Sequence, residues 1–106
     1  MTLRQEKVIS TIKRAAGEFI EETAGRESMI TTIRADISKD LKNSTIYISV
    51  FPEEKEGDAL NFLKRKRGDF REYFKTKVKI RILPFFDFKI DAGEKHRQKI
   101  DELTRS

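Results

Sequence analysis

Cysteine is absent from this chain of 106 residues. That excludes disulfides, thiol nucleophiles and every cysteine-containing zinc or iron–sulfur site. A chain with no such staple relies on its apolar core, and the lack of cysteine fits a reducing compartment. Long apolar runs are missing too. No window approaches 18 consecutive apolar residues, so no membrane-spanning helix is expected. The first residues lack the apolar stretch of a secretory signal, and the expected location is the cytoplasm. Histidine occurs once, as His96, in the polar run Glu94 to Gln98. Nothing places it as the base of a nucleophile–histidine–carboxylate set, and a solvated side chain is expected. There is no G-x-x-x-x-G-K-[ST] phosphate loop. Asp36, Asp40, Asp87 and Asp91 are candidate ligands for a divalent ion, but aspartates are common beside turns. The expectation is a non-enzyme with no metal, no cofactor and no small-molecule substrate.

What remains is short and charged. The length suggests one domain over residues 1–106, burying roughly 60–65% of its unfolded surface. Apolar residues are 37% of the chain and charged residues 39%, so the core should be thin, with the eight phenylalanines supplying much of its volume. The net charge of +5 is unevenly spread. Residues 61–81 carry nine basic side chains and two acidic ones, a net +7, so the rest of the chain sums to −2. Concentrated basicity of this kind points to a polyanionic partner.

Apolar periodicity places an amphipathic helix over residues 4–22, with Val8, Ile12, Ala15, Ala16, Phe19 and Ile20 on one side. Gly17 in its interior suggests close packing against a sheet. A strand over 29–38 places Thr31, Ile33, Ala35 and Ile37 on one face. A polar turn at 39–43 leads to a strand over 44–51 with Ile46, Ile48 and Val50 inward. The two strands are close enough to pair antiparallel. Pro52 to Gly57 is an acidic loop, and Asp58 is the expected N-cap of a helix over 59–76. The apolar stripe of that helix is interrupted by Lys-Arg-Lys-Arg-Gly-Asp at 64–69. A straight helix would turn Lys66 and Arg67 toward the buried side, which is costly for unpaired charges. A break near Gly68 resolves this and leaves a basic corner between two short helices. Residues 77–90 read as one long strand or two collinear pieces, with Pro84 at an edge or bulge. Glu94 to Leu103 is a candidate closing helix. The order implies an α+β fold with helices covering one face of a three-stranded sheet.

The strongest candidate site is the basic broken helix. Lys64, Lys66, Arg67 and Arg71, extended by Lys75, Lys77, Lys79 and Arg81, are placed to contact phosphates with salt-dependent affinity. A helix N-terminus after the break would add amide donors. Tyr47 and Tyr73 are candidates for stacking on unpaired bases, though Tyr73 suits the core as well. Phe85 falls on the opposite parity from Phe86 and Phe88, as an exposed platform or an edge cover.

Several stretches in this order resemble ribosome-binding factor A, a family of small-subunit assembly factors. They are Arg4-Gln-Glu-Lys-Val-Ile9 through Phe19-Ile20, Ile33 to Leu41 with Ser38, Asp40 and Leu41 in the turn, and Thr45 to Val50. The last two are Arg81-Ile-Leu-Pro84 with Phe86, Phe88 and Asp91, and Ile100-Asp-Glu-Leu103. The resemblance implies a type II KH-like domain: helix, strand, strand, kinked helix and strand, on a mixed three-stranded sheet. The family's kink reads alanine–x–glycine, and Lys66, Arg67 and Gly68 occupy those positions. Lys66 departs from the pattern and makes the corner more basic. Phe85 departs as well, where the family commonly carries glutamate. Some members carry a flexible basic tail, and the sequence ends at Ser106 without one.

By resemblance, the partners are the 30S subunit and 16S rRNA, bound without covalent chemistry during late maturation. That role includes processing of the 16S 5′ end and cold adaptation. The residues expected on rRNA are Lys64, Arg65, Lys66, Arg67, Arg71, Lys75, Lys77, Lys79 and Arg81, with Gly68 at the kink. No apolar stripe demands a dimer, so a monomer is expected. A general KH-like module acting on another RNA is the alternative. A protein-docking subunit and a metal-dependent hydrolase are the remaining rivals.

Overall fold

The computed structural model describes residues 3–93. The expected closing helix and His96 lie outside them. Helix α1 spans Leu3–Thr23, strand β1 Met29–Ile37 and strand β2 Asn43–Phe51. A 3-10 turn over Glu53–Lys55 leads into α2 (Glu56–Arg65), α3 (Arg67–Lys77) and β3 (Phe85–Ile90). The sheet order is β1-β2-β3, antiparallel between β1 and β2 and parallel between β2 and β3. A parallel neighbour requires a crossover, which α2 and α3 provide. The result is an α+β, type II KH-like arrangement on a mixed three-stranded sheet.

The core lies between the helices and one sheet face. Ile12, Ala16 and Phe19 of α1, Leu63 of α2, and Phe70 and Phe74 of α3 meet Ile46, Ile48 and Phe88 of the sheet, all buried. Phe70 is the hub. Its ring lies 4.7 Å from Phe86, 5.3 Å from Phe19 and 6.0 Å from Phe88. Tilted and edge-on pairs of this kind each add about 0.5–1.5 kcal/mol beyond the area they bury. Open space surrounds the position of a Cβ at Gly17. The close helix–sheet approach expected there is therefore not what this glycine supplies.

Three local expectations change. In β1 the pairing register shifts between Thr32 and Arg34, opposite Ile48 and Tyr47. This bulge inserts Ile33 and switches the parity of the strand. Ile30 and Thr32 face the core side before it, opposite Val50 and Ile48, and Ala35 and Ile37 after it, opposite Ile46 and Ser44. Thr31 and Ile33 do not share the inner face with Ala35 and Ile37 as strict alternation predicts. Second, the helix expected from residue 59 begins at Glu56, and Lys55 is its N-cap. Asp58 lies inside the first turn with Glu56, where negative charge suits the helix dipole. Third, the strand expected over 77–90 exists only at Phe85–Ile90. Lys77 closes α3, and residues 78–84 form a non-strand connection in which Val78, Ile80 and Leu83 pack on the core.

Candidate nucleic-acid interface

The helix breaks at Lys66, two residues before Gly68. Lys66 leaves the helical region (φ −96°, ψ 7°) and caps both helices. Its N–H donates to the carbonyls of Leu63 and Phe62 (3.0 and 3.2 Å), and its own carbonyl accepts from the Phe70 amide (2.8 Å). One residue outside the helical region is enough to turn the chain, and Gly68 has no positive φ. Gly68 lies in the first turn of α3, with open space where a Cβ would stand. No side chain caps α3, so the amides of Arg67, Gly68 and Asp69 have no intrahelical acceptor. Amides at a helix start are donors available to an anion, here in a turn that also carries the Asp69 carboxylate.

Asp87 of β3 fastens this corner to the sheet. Its Oδ1 accepts from Lys64 Nζ at 2.9 Å, the Phe88 amide at 2.9 Å and Arg67 Nη1 at 3.3 Å. Arg67 Nε also donates to the Lys64 carbonyl at 2.9 Å. Partial burial pushes the Asp87 pKa up. The Lys64 and Phe88 hydrogen bonds and the charges of Lys64 and Arg67 outweigh that and hold the carboxyl below its ordinary value.

Arg71, one turn further along α3, is tied to the backbone. Its Nε donates to the Pro84 carbonyl and its Nη2 to the Leu83 carbonyl, both at 3.0 Å. The guanidinium lies 4.3 Å from the centroid of the Phe85 ring, which is 64% exposed. Arg67, Gly68, Arg71, Glu72, Phe85 and Phe86 line a surface hollow of about 370 Å³, in which two cations outnumber the one carboxylate.

The other basic residues sit differently. Arg65 ends α2 and is exposed. Lys66 Nζ lies 3.5 Å from Asp69 Oδ2 and 5.9 Å from the centroid of the Phe62 ring. Lys75 and Lys77 are exposed in the last turn of α3, and Lys79 and Arg81 are exposed in the connection that follows. At 1.5 Å rise per residue, Lys77 lies about 15 Å along α3 from Arg67. The structure therefore gathers Lys64, Lys66, Arg67 and Arg71 at the corner and strings the rest beyond it. Arg65 joins the corner by position.

Both tyrosines are engaged. The Arg34 guanidinium lies 3.7 Å from the centroid of the Tyr47 ring on the open sheet face. The Tyr47 hydroxyl donates to Asp36 at 3.3 Å. Tyr73 packs on Phe19 (5.4 Å), with Lys77 5.1 Å from its ring. The aromatic left open at the corner is Phe85. Sequence reasoning missed the Asp87 anchor and the Arg71 clasp. The signal for Asp87 was its outward parity beside the basic helix. Main-chain acceptors such as those of Leu83 and Pro84 leave no trace in composition. Among the described residues no group of three or more His, Asp or Glu is arranged to hold a metal ion, and no helix is long and apolar enough to cross a membrane.

This architecture is shared with known proteins. The crystal structure of ribosome-binding factor A from Thermus thermophilus superposes with a TM-score of 0.73 at 25% identity, covering 81% of this chain and 94% of that one. A homology model of the Thermus thermophilus factor, fitted into a cryo-electron-microscopy map of its complex with 30S, superposes with a TM-score of 0.67 at 29% identity, covering 76% and 88%. In sequence, the chain is 30% identical to ribosome-binding factor A of Macrococcus caseolyticus over 99% of this chain and 98% of that protein. It is 33% identical to that of Fervidobacterium nodosum over 76% of this chain, spanning 65% of that protein's length. Residues 4–104 match the family model of ribosome-binding factor A, and the chain belongs to that family.

Proposed function

We propose that this chain binds the 30S ribosomal subunit through 16S rRNA, with the α2–α3 corner on the phosphate backbone. The observation that carries the reading is the corner itself: free α3 amides, fixed cations and an exposed aromatic around one hollow. The related Thermus thermophilus factor, fitted into a 30S complex, supports the choice of partner. In this reading the chain acts in the cytoplasm as one KH-like unit during late subunit maturation, including 5′-end processing of 16S rRNA. It acts by holding an RNA conformation, with no bond made or broken. Contacts from Lys64, Arg65, Lys66 and Arg67 position the backbone, while Lys75, Lys77, Lys79 and Arg81 add long-range attraction. Arg71 holds Phe85 and the start of β3 in place. The test is cosedimentation with purified 30S and 70S particles over a range of salt. Selective, salt-sensitive association with 30S is expected. A protein that stays at the top of the gradient at low salt would contradict the assignment.

A further inference from the structure

The other end of α2 carries the opposite charge. Residues 18–27 sum to −3 and residues 53–58 to −3, in a chain of net +5. Helix α2 runs from this acidic end to the basic corner, about 15 Å for its ten residues. Two adjoining hollows of about 720 and 340 Å³ open here. They share Ala24, Gly25, Glu27, Ser28 and Ile30, so they form one groove where the end of α1, the start of β1 and the start of α2 converge. Ile20, Ile30, Ala59 and Phe62 give it apolar walls. At one side Met29 and Phe51 are direct cross-strand partners, 68% and 73% exposed. Glu21, Glu27 and Asp58 stand on the rim beside Arg26 and Lys55, and the acidic excess comes from the flanking segments, whose sums of −3 each already include those two cations.

Two large apolar side chains left in water beside a groove mark a surface that something covers. The surrounding charge selects what covers it. A polyanion is repelled, and a second acidic end of the same kind is repelled as well. A cationic partner is attracted, and the apolar walls ask for an apolar side chain within it. We propose that this groove docks a lysine- or arginine-rich protein segment bearing an aliphatic or aromatic anchor. The carboxylates on the rim take the cations, and Met29, Phe51 and the groove walls take the anchor. The inference stands on this groove alone and does not depend on the RNA reading of the corner.

The test uses the full chain and a fluorescein-labelled peptide alternating lysine and leucine, followed by fluorescence anisotropy and amide chemical shifts. Two controls replace leucine by serine, or lysine by glutamate. The lysine–leucine peptide should bind with salt-sensitive affinity and shift the amides of residues 24–30 and 51–62. Each control peptide should bind at least about tenfold more weakly. Met29→Ser and the double change Glu21→Lys with Glu27→Lys should each weaken binding by about tenfold. These side chains are exposed, so thermal melting should be unchanged. The pair Arg65→Glu and Lys66→Glu should leave peptide binding intact, which separates this groove from the corner. Equal binding of the leucine and serine peptides, or shifts confined to other surfaces, would overturn the proposal. Concentration-dependent self-association abolished by Met29→Ser would also overturn it, and would assign the groove to a second copy.

Discussion

The corner between α2 and α3 and the stretch from Lys75 to Arg81 are equally basic in sequence, yet they hold their charges differently. At the corner Lys64 and Arg67 share Asp87, and Arg71 grips two carbonyls. Their positions are fixed before any ligand arrives. The side chains of Lys75, Lys79 and Arg81 make no hydrogen bond or ion pair among the described residues. They extend into water on flexible stems. Held cations suit recognition of one backbone geometry, because less side-chain entropy is lost on binding. Unheld cations supply attraction that any polyanion can satisfy.

The strongest way to break this comparison is to remove the clasp. Arg71→Ala leaves the Leu83 and Pro84 carbonyls without that donor and should cost about 2–3 kcal/mol of stability, since hydrogen bonds to charged groups are the stronger ones. Lys75→Ala should change stability by less than about 0.5 kcal/mol, as surface substitutions away from such features do. Chemical denaturation of both variants checks the contrast. A reversal of charge such as Arg67→Glu with Arg71→Glu would confuse binding with folding, so Arg65→Glu with Lys66→Glu is the cleaner corner variant. It should weaken association with 30S by at least about tenfold while lowering stability by only about 1 kcal/mol, because Lys66 loses its exposed pair with Asp69 and α2 gains a negative charge in its last turn. Cosedimentation and thermal melting read the two effects separately.

The triple change of Lys75, Lys79 and Arg81 to alanine sharpens the other half. It should lower the slope of log affinity against log salt by about 2–3, near 0.7–0.9 per phosphate contact. A titration series on a structured RNA measures it.

Acid offers a further contrast. The Asp87 pKa is depressed in the folded chain, so its contribution is present above the unfolded value of about 3.9 and is lost as pH falls through the lower folded value. Stability should therefore drop below about pH 4, and Asp87→Asn should flatten that part of the profile. Denaturation midpoints across pH check the sign.

The smallest effect concerns Gly68. Because the break is made at Lys66 and Gly68 sits in a helical turn with open space around it, Gly68→Ala should stabilise by roughly 0.5 kcal/mol. If the variant instead loses 30S binding without losing stability, the glycine serves close approach of the RNA backbone.

Periodicity and charge were enough to foresee the element order, the antiparallel pair of strands, and a break within 64–69. Helix faces and β2 follow one period each, and a run of four cations in an apolar stripe cannot be buried unpaired. The departures have local causes. A bulge at Ile33 reverses the parity of β1, and no residue type announces it. Val78, Ile80 and Ile82 alternate like a strand, yet the chain there forms no ladder and Ile82 stays 39% exposed. Alternation records side-chain burial but not hydrogen-bond partners, so a packed connection resembles an edge strand. At the site, the cations were visible and their anchors were not. Asp87 and the Leu83 and Pro84 carbonyls become partners only when β3 comes beside α3.

The most direct test of the difference between held and unheld cations is a pair of binding isotherms for each variant, one with 30S and one with an unstructured RNA. The Lys64→Gln and Arg67→Gln variant, which removes both cations held by Asp87, should lose much more affinity for 30S than for the unstructured RNA. The Lys75, Lys79 and Arg81 alanine variant should lose affinity for both in similar proportion. If both variants lose affinity in the same proportion on both ligands, the corner is only one more patch of positive charge, and the account is wrong.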